Sequence, residues 1–195
     1  MNYSIKQLSL SEAFNVYNEF MVYHFPENEL KPWDMIADLF SLRKYIFFGL
    51  FEKYNSDIVY KSPVAYAFFQ KSSEKDNFCL LDYFAVKKQL RGNHIGTEFL
   101  KSLNSGLFSD KTIIVEAENP IYSEENQKET AIKRINFYKN IGFSDSDVKS
   151  SIIGVHYNLL CSKLSDENQV KRAYIEIYNQ IKNPNIDINK LIQFE

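Results

Sequence analysis

The apolar and polar positions of the chain alternate in blocks whose periods change along it. Tyr3 to Leu8 alternates as a short strand. Ser9-Leu10-Ser11-Glu12 then has the spacing of a capping box, in which the serine oxygen takes an N–H three residues on and the glutamate reaches back. Leu10, Phe14, Tyr17, Met21 and His24 follow at steps of three or four, which predicts a helix with one apolar face running to Pro26. The segment Pro26 to Pro32 breaks that period, and Asp34 can cap a second short helix to about Leu42. Apolar runs at about 45–52, 62–70 and 78–87 read as strands separated by polar turns around Lys53 to Asp57 and Ser72 to Asn77. Such short connections favour antiparallel neighbours.

Beyond them the period returns to that of a helix. Ile95, Phe99, Leu103 and Leu107 form one stripe, and Thr112 to Glu118 reads as the next strand. A strand, a helix and a strand in this order predict a right-handed crossover between parallel partners. A helix over about Glu129 to Ile141 and strands near 142–149 and 152–161 complete the pattern. The fold class is α/β (α+β), with a mixed, mostly antiparallel central sheet flanked by helices. After it, Ser165 or Asp166 can cap a further helix that carries Val170, Ala173, Tyr174, Ile177 and Ile181 on one face and stops near Pro184. That face either packs on its own domain or meets a partner. The expected organisation is a domain over 1–164 with a helical extension over 165–195.

With 195 residues, the chain is long enough to bury about 70% of the surface it would expose unfolded. A net charge of −2 with interspersed signs lacks the broad basic field of a nucleic-acid binder. The 16 Phe and 13 Tyr therefore read as core packing rather than a base-stacking surface. The longest apolar run, Tyr45 to Phe51, falls short of the ~20 residues that span a bilayer. Cys79 and Cys161 are the only cysteines, both in apolar strand-like settings, and no metal-ligand cluster is visible. The expectation is a cytoplasmic protein that contacts neither nucleic acid nor membrane, as a monomer or a homodimer.

The segment with the clearest chemistry is Asp82 to Thr97, where an apolar strand end leads through Lys87-Lys88 and Arg91-Gly92-Asn93-His94 into the helix at Ile95-Gly96-Thr97. The first turn of a helix has N–H groups without internal partners and carries partial positive charge, so a loop entering it can grip an anion. The pattern lacks the Lys-Ser or Lys-Thr of a nucleotide P-loop and the three glycines of a dinucleotide fingerprint. By itself it is equally an ordinary strand-to-helix connection.

Together with its flanks, the loop resembles motif A of the GCN5-related N-acetyltransferase (GNAT) superfamily. In that motif a strand of the Leu81-Asp82-Tyr83-Phe84-Ala85-Val86 type leads into Arg/Gln-x-x-Gly-x-Gly/Ala. Arg91, Ile95 and Gly96 fit; His94 stands where the family has its first glycine. Val115 to Pro120 resembles the end of the next family strand, and Arg134 to Phe143 resembles the closing Phe-Tyr-x-x-x-Gly-Phe segment. The resemblance covers roughly residues 3–161, with its motifs in 82–143.

The resemblance implies an acetyl-CoA-dependent N-acetyltransferase without a metal, in which an amine of a small molecule or peptide attacks the thioester directly in a ternary complex. The pantetheine arm would bond along Phe84-Ala85-Val86 like an added strand. Arg91, Gly92, Asn93, His94, Ile95, Gly96 and Thr97 would hold the pyrophosphate, with Asn119 and Phe137 as further cofactor contacts. The His94 side chain either reaches the phosphate or points outward while its amide binds. Tyr138 would be the general acid for the departing thiolate, because a phenol is protonated at neutral pH. Glu116 is the tentative general base, with Glu118 and Asp82 as other carboxylates that could relay a proton. The competing function is a non-catalytic acyl-CoA-binding sensor or scaffold of the same fold. His24, at the loop edge, reads as a surface or core-edge residue.

Overall fold

The computed structural model describes residues 3–53, 62–72, 77–181 and 191–195. The polar turns expected around 53–57 and 72–77, and the helix stop near Pro184, lie largely outside them. The described chain contains eight strands in a mixed, mostly antiparallel arrangement with helices beside it. It divides into two compact units, 1–70 with 82–99 and 71–81 with 100–195, so strand β4 (Phe78–Val86) contributes its halves to different units.

In the first unit, β1 (Tyr3–Gln7) pairs antiparallel with β2 (Tyr45–Glu52), and β2 pairs antiparallel with β3 (Ala65–Lys71). The later half of β4 follows β3 in the strand order. The capping box forms as its spacing predicts: Glu12 N–H donates to Ser9 Oγ at 3.3 Å and Ser9 N–H donates to Glu12 Oε2 at 3.0 Å.

The helix that follows departs from the simple period. It runs as α1 (Leu10–Val16), a π-helical turn (Tyr17–Met21) and α2 (Val22–His24). Its buried residues are Ala13, Val16 and Met21, whereas Phe14 is 42% exposed. The π turn explains the change, since its wider winding puts a step of five between Val16 and Met21 on one face. Phe14 and Tyr17 instead pack against Trp33, with ring centroids 5.1 and 5.4 Å away. Phe25 is extended at φ −123°, ψ 145° because it precedes Pro26, whose ring disfavours helical geometry before it. Pro32, not Asp34, occupies the N-cap of α3 (Trp33–Ser41).

In the second unit the first half of β4 runs parallel to β5 (Thr112–Glu118), in register Phe78↔Thr112 to Leu80↔Ile114. Helix α4 (Ile95–Ser105) connects them, as the expected crossover requires. Leu107 lies past its end and is 59% exposed, and Phe108 is buried in its place. β5 pairs antiparallel with β7 (Val155–Cys161), which forms a hairpin with β6 (Ser144–Ile152). The two-residue turn has φ 49° at Ile153 and 80° at Gly154, the left-handed pair that tight hairpins use. β8 (Ile192–Phe194) pairs with β6 and had no clear signature in the sequence.

Helix α5 (Glu125–Asn140) starts four residues before the expected 129, so residues 125–128 add a turn at its beginning. Helix α6 (Glu167–Asn179) is capped by Asp166, whose Oδ1 accepts from Asn168 N–H at 3.0 Å and Gln169 N–H at 3.3 Å. Its apolar face closes on the second unit's own core. Val170, Ala173, Tyr174 and Ile177 are fully buried among Phe78, Leu80, Ile114, Val148 and Leu159.

Candidate functional site

The loop after β4 belongs to the first unit and turns tightly into α4. Lys88–Leu90 makes one 3₁₀ turn, then Gly92 sits at φ +81° and His94 at φ +59°. His94 thus stands at a left-handed position, where a glycine would be unstrained and an L side chain costs about 1–2 kcal/mol. The family-like pattern has glycine there for that reason. Glu98 N–H donates to the His94 carbonyl at 3.0 Å. The N–H groups of Ile95, Gly96 and Thr97 precede that first helical bond, so they are the ones a helix start offers to an anion. His94 itself is exposed.

Arg91 is anchored by its Nε, which donates to the Val86 carbonyl at 3.0 Å, so the far side of its guanidinium remains for other contacts. Lys87 is tied down: its Nζ donates to Ser62 Oγ at 2.7 Å and lies 5.3 Å from the Phe20 ring centroid. Phe84 packs against Phe99 of α4 at 6.3 Å, and Ala85 is buried. Phe84, Ala85 and Val86 lie beyond Leu80, the last residue of β4 in the parallel register with β5.

Near this loop the His24 imidazole Nδ1 lies 2.8 Å from Tyr66 Oη, with the rings stacked at 5.9 Å. Burial, and then the nearby Arg91 guanidinium, lower the His24 pKa below its usual 6.5. The unfolded chain therefore takes up a proton at higher pH than the folded one, and stability falls as pH drops from above 6.5 through the folded value. The melting temperature of the wild type is expected to fall between pH 7.5 and 5.5, and the fall to be smaller in His24→Gln. Equal slopes in the two proteins would refute it.

The middle of β4 holds a polar cluster in an otherwise apolar strand. Asp82 is 5% exposed at its side chain; its Oδ1 takes the Lys31 ammonium at 2.5 Å and its Oδ2 accepts the Tyr45 hydroxyl. Beside it, Tyr83 Oη donates to the Glu29 carbonyl at 3.0 Å and accepts Lys31 N–H at 2.8 Å. Sequence reading raised Asp82 only as a possible proton relay and missed Lys31 and Tyr45. The available signal was a lone carboxylate inside Leu80-Leu81-Asp82-Tyr83-Phe84, since a charge in a buried strand needs a partner.

The remaining sequence-derived candidates belong to the second unit, and each has its own surroundings there. Tyr138 on α5 is half-buried between Phe137 and Phe143, with ring centroids 5.2 and 5.7 Å away. Burial pushes its phenol up to about 12, with Arg134 acting weakly the other way. Its hydroxyl has no hydrogen-bond partner among the described residues. Glu116 Oε1, in contrast, accepts the hydroxyls of Tyr174 at 2.5 Å and Tyr178 at 2.6 Å, both from α6. By period two it shares a strand face with Ile114, which packs against that helix. Asn119 is buried and its Oδ1 accepts Ile121 N–H at 3.1 Å, so its carboxamide closes a local turn.

Burial raises the pKa of the Cys79 thiol and pushes that of Cys161 up to about 12, which keeps both as unreactive thiols. Among the described residues no group of three or more His, Cys, Asp or Glu is placed to hold a metal, and no helix is long and apolar enough to cross a membrane.

No family model matches the sequence, and no curated protein matches it. Solved structures match its fold. A protein assigned to the GNAT family of acetyltransferases from Bacteroides thetaiotaomicron superposes with a TM-score of 0.63 at 20% identity, over 88% of this chain and 93% of its own. A spermidine N-acetyltransferase chimera from Vibrio cholerae gives 0.56 at 8% identity, over 88% and 100%. A ribosomal-protein alanine N-acetyltransferase from Escherichia coli gives 0.50 at 17% identity, over 86% and 98%. At these identities the likeness is one of architecture, and the chain has the fold of the GNAT acetyltransferases.

Proposed function

We propose that the protein is an acetyl-CoA-dependent N-acetyltransferase acting on an amine of a small molecule or peptide, as a cytoplasmic monomer or homodimer. The observation that carries this reading is the loop at Arg91 to Thr97, with left-handed φ at Gly92 and His94, Arg91 beside it and the first turn of α4 after it. These residues suit a diphosphate. The amides of Ile95, Gly96 and Thr97 donate to its oxygens, Arg91 adds a charge-assisted contact, and Asn93 helps to close the loop through its bonds to the Leu90 and Arg91 carbonyls. Phe84, Ala85 and Val86 offer backbone groups to the arm beyond it.

Bound acetyl-CoA supplies an activated acetyl thioester. The acceptor ammonium first gives one proton to a base; its nitrogen then bonds to the carbonyl carbon as the C–S bond breaks, and the second nitrogen proton balances the one delivered to sulfur. Tyr138 is our donor to that sulfur. Its raised pKa keeps the phenol protonated across the working range, and its hydroxyl is uncommitted. We do not assign the base to Glu116, because two phenol hydroxyls of α6 already donate to its Oε1.

A thermal shift tests cofactor binding without turnover, because a ligand of the native state alone stabilises it by RT ln(1 + [L]/Kd). Acetyl-CoA at about a hundredfold above Kd is expected to contribute about 2.7 kcal/mol. Gly96→Glu, which puts a carboxylate in the anion site, is expected to lose that shift. Absence of a shift in the wild type, or an equal shift in Gly96→Glu, would refute the cofactor assignment. The engagement of Glu116 also favours a second reading, an acyl-CoA-binding module without turnover. Free-thiol release across primary, secondary and aromatic amines separates the two: binding without release above background in any class selects the module.

A further inference from the structure

We propose that Asp82 and Tyr45 form the seat for the acceptor's ammonium group, that Lys31 occupies this seat as an internal stand-in, and that the acceptors are therefore primary alkylammonium compounds which displace it. The proposal rests on the acetyltransferase reading for its role, but the seat is built from contacts within the first unit. A salt bridge that merely stapled two rigid elements would join strands or helices. Here the cation comes from the 25–32 connection between α2 and α3, which also meets β4 through the Tyr83 hydroxyl and through Phe25 against the Tyr83 ring.

The chemistry of the seat selects its guest. One carboxylate oxygen takes the ammonium and the other takes the Tyr45 hydroxyl, so a single acceptor atom faces the cation. This suits the point charge of an ammonium; a guanidinium would want both oxygens for its two-pronged fork. Burial and the adjoining carboxylate raise the Tyr45 pKa, so that this phenol remains a donor and keeps the second oxygen engaged. One ring lies against the charge, with Lys31 Nζ 5.6 Å from the Tyr83 centroid, and Phe25 in turn meets Tyr83 edge-on at 5.0 Å. A carboxylate with an aromatic ring beside it attracts an alkylammonium and its methylene stem together.

Position adds the link to the reaction. Asp82 precedes Phe84 by two residues on β4, a rise of about 6.6 Å along the strand. An amine held at Asp82 would thus lie one pleat from the backbone that the acyl arm is proposed to follow.

The test uses the full chain with 1,4-diaminobutane and butylguanidine as probes. Lys31→Met keeps the stem and removes the competing charge. It is expected to lower the KM for 1,4-diaminobutane in thiol release at least tenfold, to leave the acetyl-CoA thermal shift unchanged, and to gain a diamine-dependent thermal shift larger than that of the wild type. Adding Asp82→Asn should abolish that gain, and butylguanidine should produce none. A diamine shift of the same size in Lys31→Met and wild type, or equal effects of butylguanidine, overturns the proposal. A diamine shift without thiol release leaves the seat standing and removes the enzyme reading. Should Lys31→Met not fold, hydrogen exchange on the wild type decides: saturating diamine should speed exchange of the Lys31 amide severalfold, and unchanged exchange refutes displacement.

Discussion

Replacing Tyr138 by phenylalanine is expected to lower the rate of thiol release about 10²- to 10³-fold, within the range of a lost general acid, while the acetyl-CoA thermal shift stays as in the wild type. The side chain loses one oxygen and keeps its ring between Phe137 and Phe143, so the packing of α5 is conserved. No described residue loses a hydrogen bond with that oxygen. The defect should grow with the basicity of the leaving thiolate and shrink for an acyl thioester of a more acidic thiol. An unchanged rate across pH 6 to 10 would remove Tyr138 from the chemistry. A lost thermal shift would instead show the hydroxyl to be a cofactor contact.

Tyr174→Ala is expected to destabilise the fold by about 3–5 kcal/mol, the range for deleting a fully buried aromatic ring. This corresponds to a fall in melting temperature of about 6–20 °C for a chain of this size. Two effects combine at this position. The ring is fully buried in the core that joins α6 to β5, β6 and β7, and its hydroxyl donates to Glu116 and lies 3.3 Å from Ser150 Oγ. Tyr174→Phe isolates the second effect and should cost about 1–3 kcal/mol, since it leaves a carboxylate with one fewer donor. Calorimetry on the two variants checks both figures. A loss below about 1 kcal/mol in Tyr174→Ala would show that α6 is not part of the cooperative core.

Much of this architecture was legible because local periods and caps act over a few residues. The capping box at Ser9 and Glu12, the buried run of β2, the crossover through α4 and the apolar face of α6 follow from spacing that any chain of this pattern would obey. The succession of β4, a short turn and α4 was legible for the same reason, since the three are adjacent in sequence. His94 stands at a φ of +59°, a left-handed position that a glycine would occupy without strain.

Three features were not recorded in the spacing. The stripe assigned to Leu10, Phe14, Tyr17, Met21 and His24 was displaced by a π turn, which the constant period of a helix does not reveal. Glu116 was the candidate base among three carboxylates, and its two phenol partners come from a helix 58 and 62 residues further on. Asn119 carried the expected residue type, yet its oxygen closes its own turn.

By itself the sequence determined most of the segments that are strands and helices and the caps at Ser9 and Asp166, because these depend on neighbours along the chain. Only the tertiary structure decided which polar groups are paired with one another. Glu116 accepts two phenols of α6, and Lys31 sits on Asp82. A carboxylate or phenol is defined chemically by its partners, and partners brought together across dozens of residues are set by packing, which no local pattern records.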